Sequence, residues 1–239
     1  MQPANNISNV VHCVLSDCDG VIVDSEKIAD AIMVEVLQEA FMGHSLDAHM
    51  TDMFGRRVSD ILRLLERRLG VSLSSEKRLC LQQDIDARVA HEAAAMPHVK
   101  EIYESLGMPI AIVSNSAPQR LHKSVRRAGL AGLVGTNMFS GDEVKSPKPA
   151  PDVYLQASRA LGIDPAHCLA IEDSVTGVKA ARAAGMRVLG FLGGSHIRPD
   201  HANMLVRAGA VKVFNNMVEL PQTIENISRY ASSRGPIFT

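Results

Sequence analysis

The sequence predicts an α/β protein with a doubly wound, Rossmann-like parallel sheet at its core and an inserted all-helical domain. Two observations support this fold class. Short apolar runs alternate with helical patterns over most of the chain, as in parallel α/β sheets. Between residues 27 and 96 only helical patterns remain. We therefore assign residues 1–26 and 97–239 to the core and residues 27–96 to the inserted domain.

Short apolar runs predict the buried strands of the core. They lie at residues 10–16, 108–113, 168–171, 187–191 and 211–214. Continuous apolar runs of this length are typical of strands that are covered on both faces. Helical patterns at residues 118–128, 151–161 and 174–184 separate these strands, and Gly185 is placed to end the last of these helices.

The inserted domain is predicted to contain three helices. Two of them have apolar faces formed by Ile28, Ile32, Val36 and Leu37, and by Ile61, Leu62, Leu64, Leu65 and Leu69. Gly70 is expected to cap the second helix. The third is predicted over residues 75–95, because Pro97 cannot continue a helix.

Composition limits the classes of function. Of 239 residues, 25 are basic and 26 acidic, and the net charge of −1 provides no field to attract nucleic acid or anionic lipid. No apolar stretch is long enough to span a bilayer, and no secretory signal pattern opens the chain. The four cysteines form no C-x-x-C pair and are expected to be reduced. We expect a cytoplasmic protein that needs no partner chain and acts as a monomer.

Polar groups that suit phosphoryl transfer follow the predicted strands or lie just beyond them. They are Asp17-x-Asp19, Ser114-Asn115-Ser116, Lys148 and the pair Glu172-Asp173. The carboxyl ends of parallel strands share one edge of a sheet, so these groups should converge. Two carboxylates about 4 Å apart repel by roughly 4 kcal/mol at an effective dielectric of 20, and a divalent cation between them would remove that cost. A nucleophilic carboxylate, a proton donor and cations are what phosphoryl transfer to a side chain requires.

Structural roles for the same residues stay open. Asp24 and Ser25 are expected to cap the first inserted helix rather than to react. The Ser114-Asn115-Ser116 motif could be an ordinary turn, and Lys148 could be a solvated loop residue, although Pro147 and Pro149 restrict its direction. Glu172-Asp173 could cap the helix at 174–184, which is compatible with a catalytic role because a helix N-terminus favours anions.

At these residues the chain closely resembles the haloacid dehalogenase superfamily, over nearly its whole length. The pattern D-x-D-G-x-[IV]-x-D-S starts at Asp17, and the hydroxyl, lysine and acidic-pair motifs follow in order. The resemblance implies that Asp17 is a nucleophile that becomes an aspartyl-phosphate and that Asp19 is the general acid and base. It also implies that Ser114, Asn115 and Lys148 bind the phosphoryl group, and that Mg²⁺ is held by Asp17, Asp173, Glu172 and the Asp19 carbonyl.

Asp19 distinguishes subgroups of the superfamily, because halide release needs no proton donor whereas phosphate-ester cleavage does. The chain resembles the β-phosphoglucomutase-like group and the phosphatases of sugar and sugar-acid phosphates, including 6-phosphogluconate phosphatase. The resemblance therefore implies a phosphatase of small phosphorylated metabolites with a helical cap.

Alternatives within this resemblance stay open. A hexose phosphomutase is the main one, although the mutase has a histidine where this chain has Ala29. A catalytically idle binding protein is a further one, although every reactive position is filled. Arg56 and Arg57 match the cap loop that selects the substrate, and either could also be a solvated residue at the start of a helix.

Overall fold

A six-stranded parallel sheet forms the centre of the core in the computed structural model, which describes residues 10–44, 46 and 58–232. The strands of this part of the chain are β1 (Cys13–Ser16), β2 (Val23–Asp24), β3 (Ala94–Ala95), β4 (Ile110–Ser114), β5 (Met138–Ser140), β6 (Cys168–Glu172), β7 (Arg187–Phe191) and β8 (Lys212–Phe214). The sheet has the order β5-β4-β1-β6-β7-β8, and every neighbouring pair is parallel.

Helices follow most of these strands. They are α1 (Glu26–Ala40), α2 (Val58–Leu69), α3 (Ser75–Glu92), α4 (Val99–Ser105), α5 (Pro118–Arg127), α6 (Ala131–Val134), α7 (Asp152–Leu161), α8 (Val175–Ala183), α9 (His201–Ala208) and α10 (Leu220–Ser232). None of the helices in the described ranges is long and apolar enough to cross a bilayer. The sequence patterns did not predict β2, β5, α4, α6, α9 or α10. Of these, β2, β5, α4 and α6 are short, with at most seven residues each, whereas α10 has 13.

The order of the strands reverses at β1, and this reversal marks the part of the sheet where a ligand site is expected. From β1 the chain builds outward through β4 and β5 on one side, and then through β6, β7 and β8 on the other. Every residue of β1, β4 and β6 is buried, so both faces of the sheet are covered. The carboxyl ends of the strands at this reversal form the edge where open α/β sheets bind ligands.

The chain divides into two compact units, one formed by Met1–Asp24 with Ala94–Thr239 and the other by Ser25–Ala93. The bounds differ by a few residues from those expected from the sequence, 27 and 96. Ala94 and Ala95 pair antiparallel with Asp24 and Val23, so α3 ends at Glu92 and not at Ala95. Strand pairing therefore overrides the high helix propensity of alanine at these two positions.

The helical unit has its own apolar core. α1, α2 and α3 supply the buried side chains Ile32, Met33, Val36, Leu37, Ile61, Leu62, Leu65, Leu81, Ile85 and Val89. The apolar faces predicted from the sequence contribute to this cluster, and α2 is followed by Gly70 with φ +67°, as a helix-ending glycine requires. This packing, rather than the intrinsic propensity of short helices, stabilises the unit.

One ion pair, in which the carboxylate is largely buried and the arginine is partly exposed, joins α2 to α3. Both carboxylate oxygens of Glu66 accept hydrogen bonds from Arg78 Nη1, at 3.0 and 2.9 Å, and Glu66 Oε1 also accepts from the Leu73 N–H at 2.6 Å. The Leu73 N–H and the Arg78 guanidinium lower the pKa of Glu66. The contact therefore fixes the α2–α3 connection.

Glu66→Ala should lower the free energy of unfolding by about 2 kcal/mol at pH 7, because three hydrogen bonds to a charged group are lost. A urea titration measures this. Since the pKa of Glu66 is lowered in the folded state, the advantage of the wild type is present at neutral pH and shrinks as the pH falls through the carboxyl range. Glu35→Ala is the matched control, because Glu35 makes a similar contact with Arg88 but is 58% exposed. Its loss should be much smaller, and equal losses would contradict this account.

Candidate active site

Lys148 lies at the centre of a buried cluster at the carboxyl edge of the sheet. Its ammonium donates to Asp17 Oδ1 at 2.7 Å, to Glu172 Oε1 at 2.7 Å and to the Val113 carbonyl at 2.8 Å. Asp17 directly follows β1, and Glu172 ends β6. All three donor positions of the ammonium are therefore occupied, which fixes its place between the two acids.

Asp173 joins these two acids in a site suited to a cation. One oxygen each from Asp17, Glu172 and Asp173 lies within 4.8 Å of the others, and all three side chains are buried. Burial and the charge of Glu172 raise the pKa of Asp17 well above its usual range, and Lys148 offsets only part of this effect. Burial lowers the pKa of Lys148, but the charges of Asp17 and Glu172 raise it by more, so the ammonium stays charged. When all three carboxylates are ionised, they and the ammonium carry two net negative charges, which a divalent cation would balance.

Hydrogen-bond donors orient Glu172. Tyr154 donates to Oε1 at 2.6 Å, and Ser174 donates to Oε2 at 3.1 Å. Burial raises the pKa of Tyr154 well above its usual range, so its hydroxyl keeps the proton it donates. Ser174, rather than the acidic pair, caps α8, since its side chain accepts from the Gly177 N–H at 3.0 Å. Glu172 and Asp173 thus lie just before the helix, where its dipole favours negative charge.

Asp19 points to a separate set of donors. Its Oδ1 accepts from Arg120 at 2.6 Å, and its Oδ2 accepts from Ser116 at 2.6 Å. Ser114 is at the limit of hydrogen bonding, 3.5 Å from Oδ2. Of these two hydroxyls, that of Ser116 is therefore the closer to Asp19.

Asn115 contacts the backbone of Lys148 with both ends of its amide. It donates from Nδ2 to the Lys148 carbonyl at 3.1 Å and accepts at Oδ1 from the Lys148 N–H at 3.0 Å. This pair of bonds holds the lysine loop against the end of β4. The expected roles of Asn115 and Ser114 in binding phosphate stay predictions.

Two histidines contact Asp173. His196 Nε2 lies 3.1 Å from Asp173 Oδ2, and His201 Nε2 forms a short hydrogen bond with the Asp173 carbonyl. Asp24 does not serve as the expected helix cap, because its Oδ1 accepts from the Ser195 N–H at 3.1 Å and from the Ser195 hydroxyl at 2.9 Å. Ser25 occupies the N-cap position of α1, but its side chain makes no capping hydrogen bond.

Sequence reasoning did not identify Arg120, Tyr154, His196 or His201 as residues of this cluster. For Arg120 a signal existed: it is the third residue of α5, where a positive charge opposes the helix dipole and so needs a local reason. The other three lie in elements whose path around the site is not encoded in a local pattern. Arg56 and Arg57, the expected specificity residues, lie outside the described residues.

Comparisons with known proteins identify the class. The haloacid dehalogenase-like hydrolase family matches residues 11–185, so the chain belongs to this family. It is similar to 6-phosphogluconate phosphatase of Escherichia coli (strain K12), with 25% identity over 89% of this chain and 94% of the relative.

Two solved structures are similar as well. One is a conserved haloacid dehalogenase-like protein of unknown function from Agrobacterium tumefaciens, with 33% identity, a TM-score of 0.75 and coverage of 91% of this chain and 99% of that one. The other is a hydrolase of the same family from Deinococcus radiodurans R1, solved with bound phosphate and sodium. It shares 33% identity over 92% of this chain and 97% of its own, with a TM-score of 0.70.

These findings confirm the predicted superfamily, the doubly wound parallel core and the enzyme class, a phosphatase of this superfamily. A buried acidic cluster of the expected kind is present. The individual roles of the site residues stay predictions.

Gly20 leaves the space that Asp173 occupies. A Cβ at this position would lie 1.8 Å from Asp173 Oδ2, and Gly20 has φ +77°. Gly20→Ala should displace the Asp173 carboxylate and remove both turnover and the rise in melting temperature caused by Mg²⁺. Gly107→Ala is the matched control, because Gly107 has φ +61° but nothing within 4 Å of the added Cβ, so it carries the backbone strain without the clash. A normal response to Mg²⁺ in Gly20→Ala would contradict this account.

Arg120→Ala should lower kcat for a phosphate ester by about tenfold or more, because Asp19 loses a charge-assisted hydrogen bond that fixes its carboxylate. Steady-state kinetics measure this. Arg126→Ala, an exposed arginine on the same helix, is the control and should leave kcat unchanged. If Arg120→Ala raises KM and leaves kcat unchanged, Arg120 does not act through Asp19.

Proposed function

We propose that this chain is a Mg²⁺-dependent phosphatase of small phosphorylated metabolites, with sugar or sugar-acid phosphates as its substrate class. The contact of Lys148 with both Asp17 and Glu172 carries the proposal, because it sets a cation beside the expected nucleophile and the acidic cluster. The name of the Escherichia coli relative and the phosphate bound to the Deinococcus radiodurans relative support the substrate class.

The donor set fits Mg²⁺. The cluster offers carboxylate oxygens only, and Mg²⁺ prefers oxygen ligands. Asp17 and Asp173, with the Asp19 carbonyl, would hold the ion, and Glu172 would complete the negative charge around it. When bound, the ion supplies positive charge that offsets the charge of the phosphoryl oxygens.

The first step proposed is transfer of the phosphoryl group to Asp17. A carboxylate oxygen of Asp17 attacks phosphorus, the bond from phosphorus to the ester oxygen breaks, and Asp19 gives its proton to the departing alcohol oxygen. Ser114 and Asn115 are proposed to bind the phosphoryl oxygens, and Lys148 is proposed to bind the phosphoryl group through its positive charge. Because Lys148 is buried and stays charged, its attraction for an incoming anion is little screened by water.

The second step is hydrolysis of the aspartyl-phosphate. Asp19, now a carboxylate, takes a proton from a water molecule as the water oxygen attacks phosphorus, and the bond from phosphorus to Asp17 breaks. Inorganic phosphate leaves, and Asp19 regains its proton for the next cycle. The hydrogen bonds from Ser116 and Arg120 orient the Asp19 carboxylate for this step.

We further propose that the helical unit is the cap that selects the substrate and that Arg56 and Arg57 recognise the part of it remote from the phosphate. The enzyme would act as a monomer on small molecules, without nucleic acid or membrane. The near-neutral charge of the chain supports the absence of a polyanionic partner.

Asp17→Asn should reduce phosphate release to background, because a carboxamide is a poor nucleophile. The measurement is a screen of sugar, sugar-acid and polyol phosphates with Mg²⁺. Asp19→Asn should slow turnover about a hundredfold or more. Asp164→Asn is the control and should retain full activity, because Asp164 caps a turn just before β6, at the end opposite the site. Borohydride added during turnover should reduce the acyl phosphate and convert residue 17 to homoserine, which peptide mass spectrometry detects.

Other outcomes would overturn the proposal. Glucose 6-phosphate formed from β-glucose 1-phosphate with a bisphosphate primer, and with no phosphate released, would identify a phosphomutase. Failure to hydrolyse any ester of the panel, by protein that binds Mg²⁺, would indicate a binding protein on this fold.

A further inference from the structure

Asp173 is contacted by two imidazoles that the motifs of the family do not explain. His196 lies in the connection between β7 and α9, and His201 is the first residue of α9. His196 contacts the side chain of Asp173, and His201 contacts its backbone carbonyl. The two rings also pack edge to face, with centroids 5.8 Å apart. The contacts therefore fix both the peptide and the carboxylate of a single residue.

The acceptors decide which ring nitrogen carries hydrogen. A carbonyl oxygen can only accept, so His201 must donate from Nε2. An ionised carboxylate can also only accept, so His196 must donate from Nε2 to Asp173 Oδ2. Both histidines therefore direct an Nε2–H at Asp173.

Neighbouring residues restrict the position of the His196 ring. Asp24 holds the adjacent Ser195 through two hydrogen bonds. A Cβ on Gly194 would lie 2.8 Å from the His196 ring, and a Cβ on Gly20 would lie 3.0 Å from it. Two glycines and one anchored serine thus make room for the ring and set its approach to Asp173.

The kind of donor differs between the acids of the cluster. Asp17 and Glu172 accept from the ammonium of Lys148, whose charge cancels part of theirs. An imidazole can donate from Nε2 without carrying a charge, so it can orient Asp173 and leave its negative charge available to a cation. Neutral donors that orient a ligand in this way raise metal affinity by fixing its geometry.

We propose that His196 and His201 are positioning residues that hold Asp173 in the orientation that binds the divalent cation. The inference rests on the proposed function, in that the cation is Mg²⁺. Loss of either donor should lower metal affinity about 10- to 100-fold, the usual effect of removing a residue that orients a metal ligand.

The test measures Mg²⁺ binding by calorimetry, without substrate. His196→Ala should weaken binding, whereas His12→Ala should leave it unchanged, because His12 is exposed at the opposite end of β1. His196→Gln should restore part of the affinity and His196→Asn should not, because the glutamine amide reaches the position of Nε2 and the asparagine amide reaches only that of Nδ1. The same order is expected at His201. Nitrogen NMR of the wild type should show hydrogen on Nε2 of both rings.

Failure of this inference can be distinguished from failure of the proposed function. If the wild type binds Mg²⁺, Asp173→Asn abolishes binding and His196→Ala binds normally, the positioning role is wrong and the phosphatase proposal stands. Equal affinities for the Gln and Asn variants, or NMR spectra that show no hydrogen on Nε2, would also overturn it. If the wild type neither binds Mg²⁺ nor releases phosphate, the proposed function itself fails. Far-UV circular dichroism checks that each variant is folded.

Discussion

The burial of Asp17, Glu172 and Asp173 beside a single ammonium is the constraint on which the site depends. Like charges about 4 Å apart repel by roughly 4 kcal/mol at an effective dielectric of 20, so such a cluster persists only where donors and cations surround it. Lys148 supplies one charge, and Tyr154 supplies a neutral donor. The remaining negative charge lowers the stability of the folded chain, but it raises the affinity of the cluster for a cation.

The sheet makes this concentration of charge possible. β1 and β6 are neighbours and are buried along their whole length, so the residues that follow them emerge together at one edge. The N-terminus of α8 lies directly beyond Glu172 and Asp173 and stabilises their charge. Glycine is required at the two positions where the backbone passes closest to these carboxylates. A Cβ on Gly20 would overlap an oxygen of Asp173, and a Cβ on Gly177 would overlap an oxygen of Glu172. Backbone conformation and charge are thus coupled at this edge.

The acidic residues of the site differ in the hydrogen-bond donors that contact them. The nucleophile expected at Asp17 contacts a fixed positive charge, while Asp19 contacts Arg120 and Ser116 outside the cluster. Asp173 contacts imidazoles that orient it. Because each acid has a different kind of partner, neighbouring carboxylates can have different protonation states and roles at one pH. Such separation of environments is typical of sites that use one side-chain type for several steps.

The fold class follows from the sequence alone, which also predicts the inserted helical region and the acids, lysine and hydroxyls of the candidate site. All of these depend on local information: apolar periodicity locates the strands, and the reactive groups follow the strand ends. Three features are visible only in the folded chain: Ser116 is closer to Asp19 than Ser114 is, Ala94 and Ala95 pair as a strand, and two histidines contact Asp173. His196 and His201 meet Asp173 across more than twenty residues of intervening chain. A contact of this kind depends on how loops close over the sheet, and no pattern of neighbouring residues encodes it.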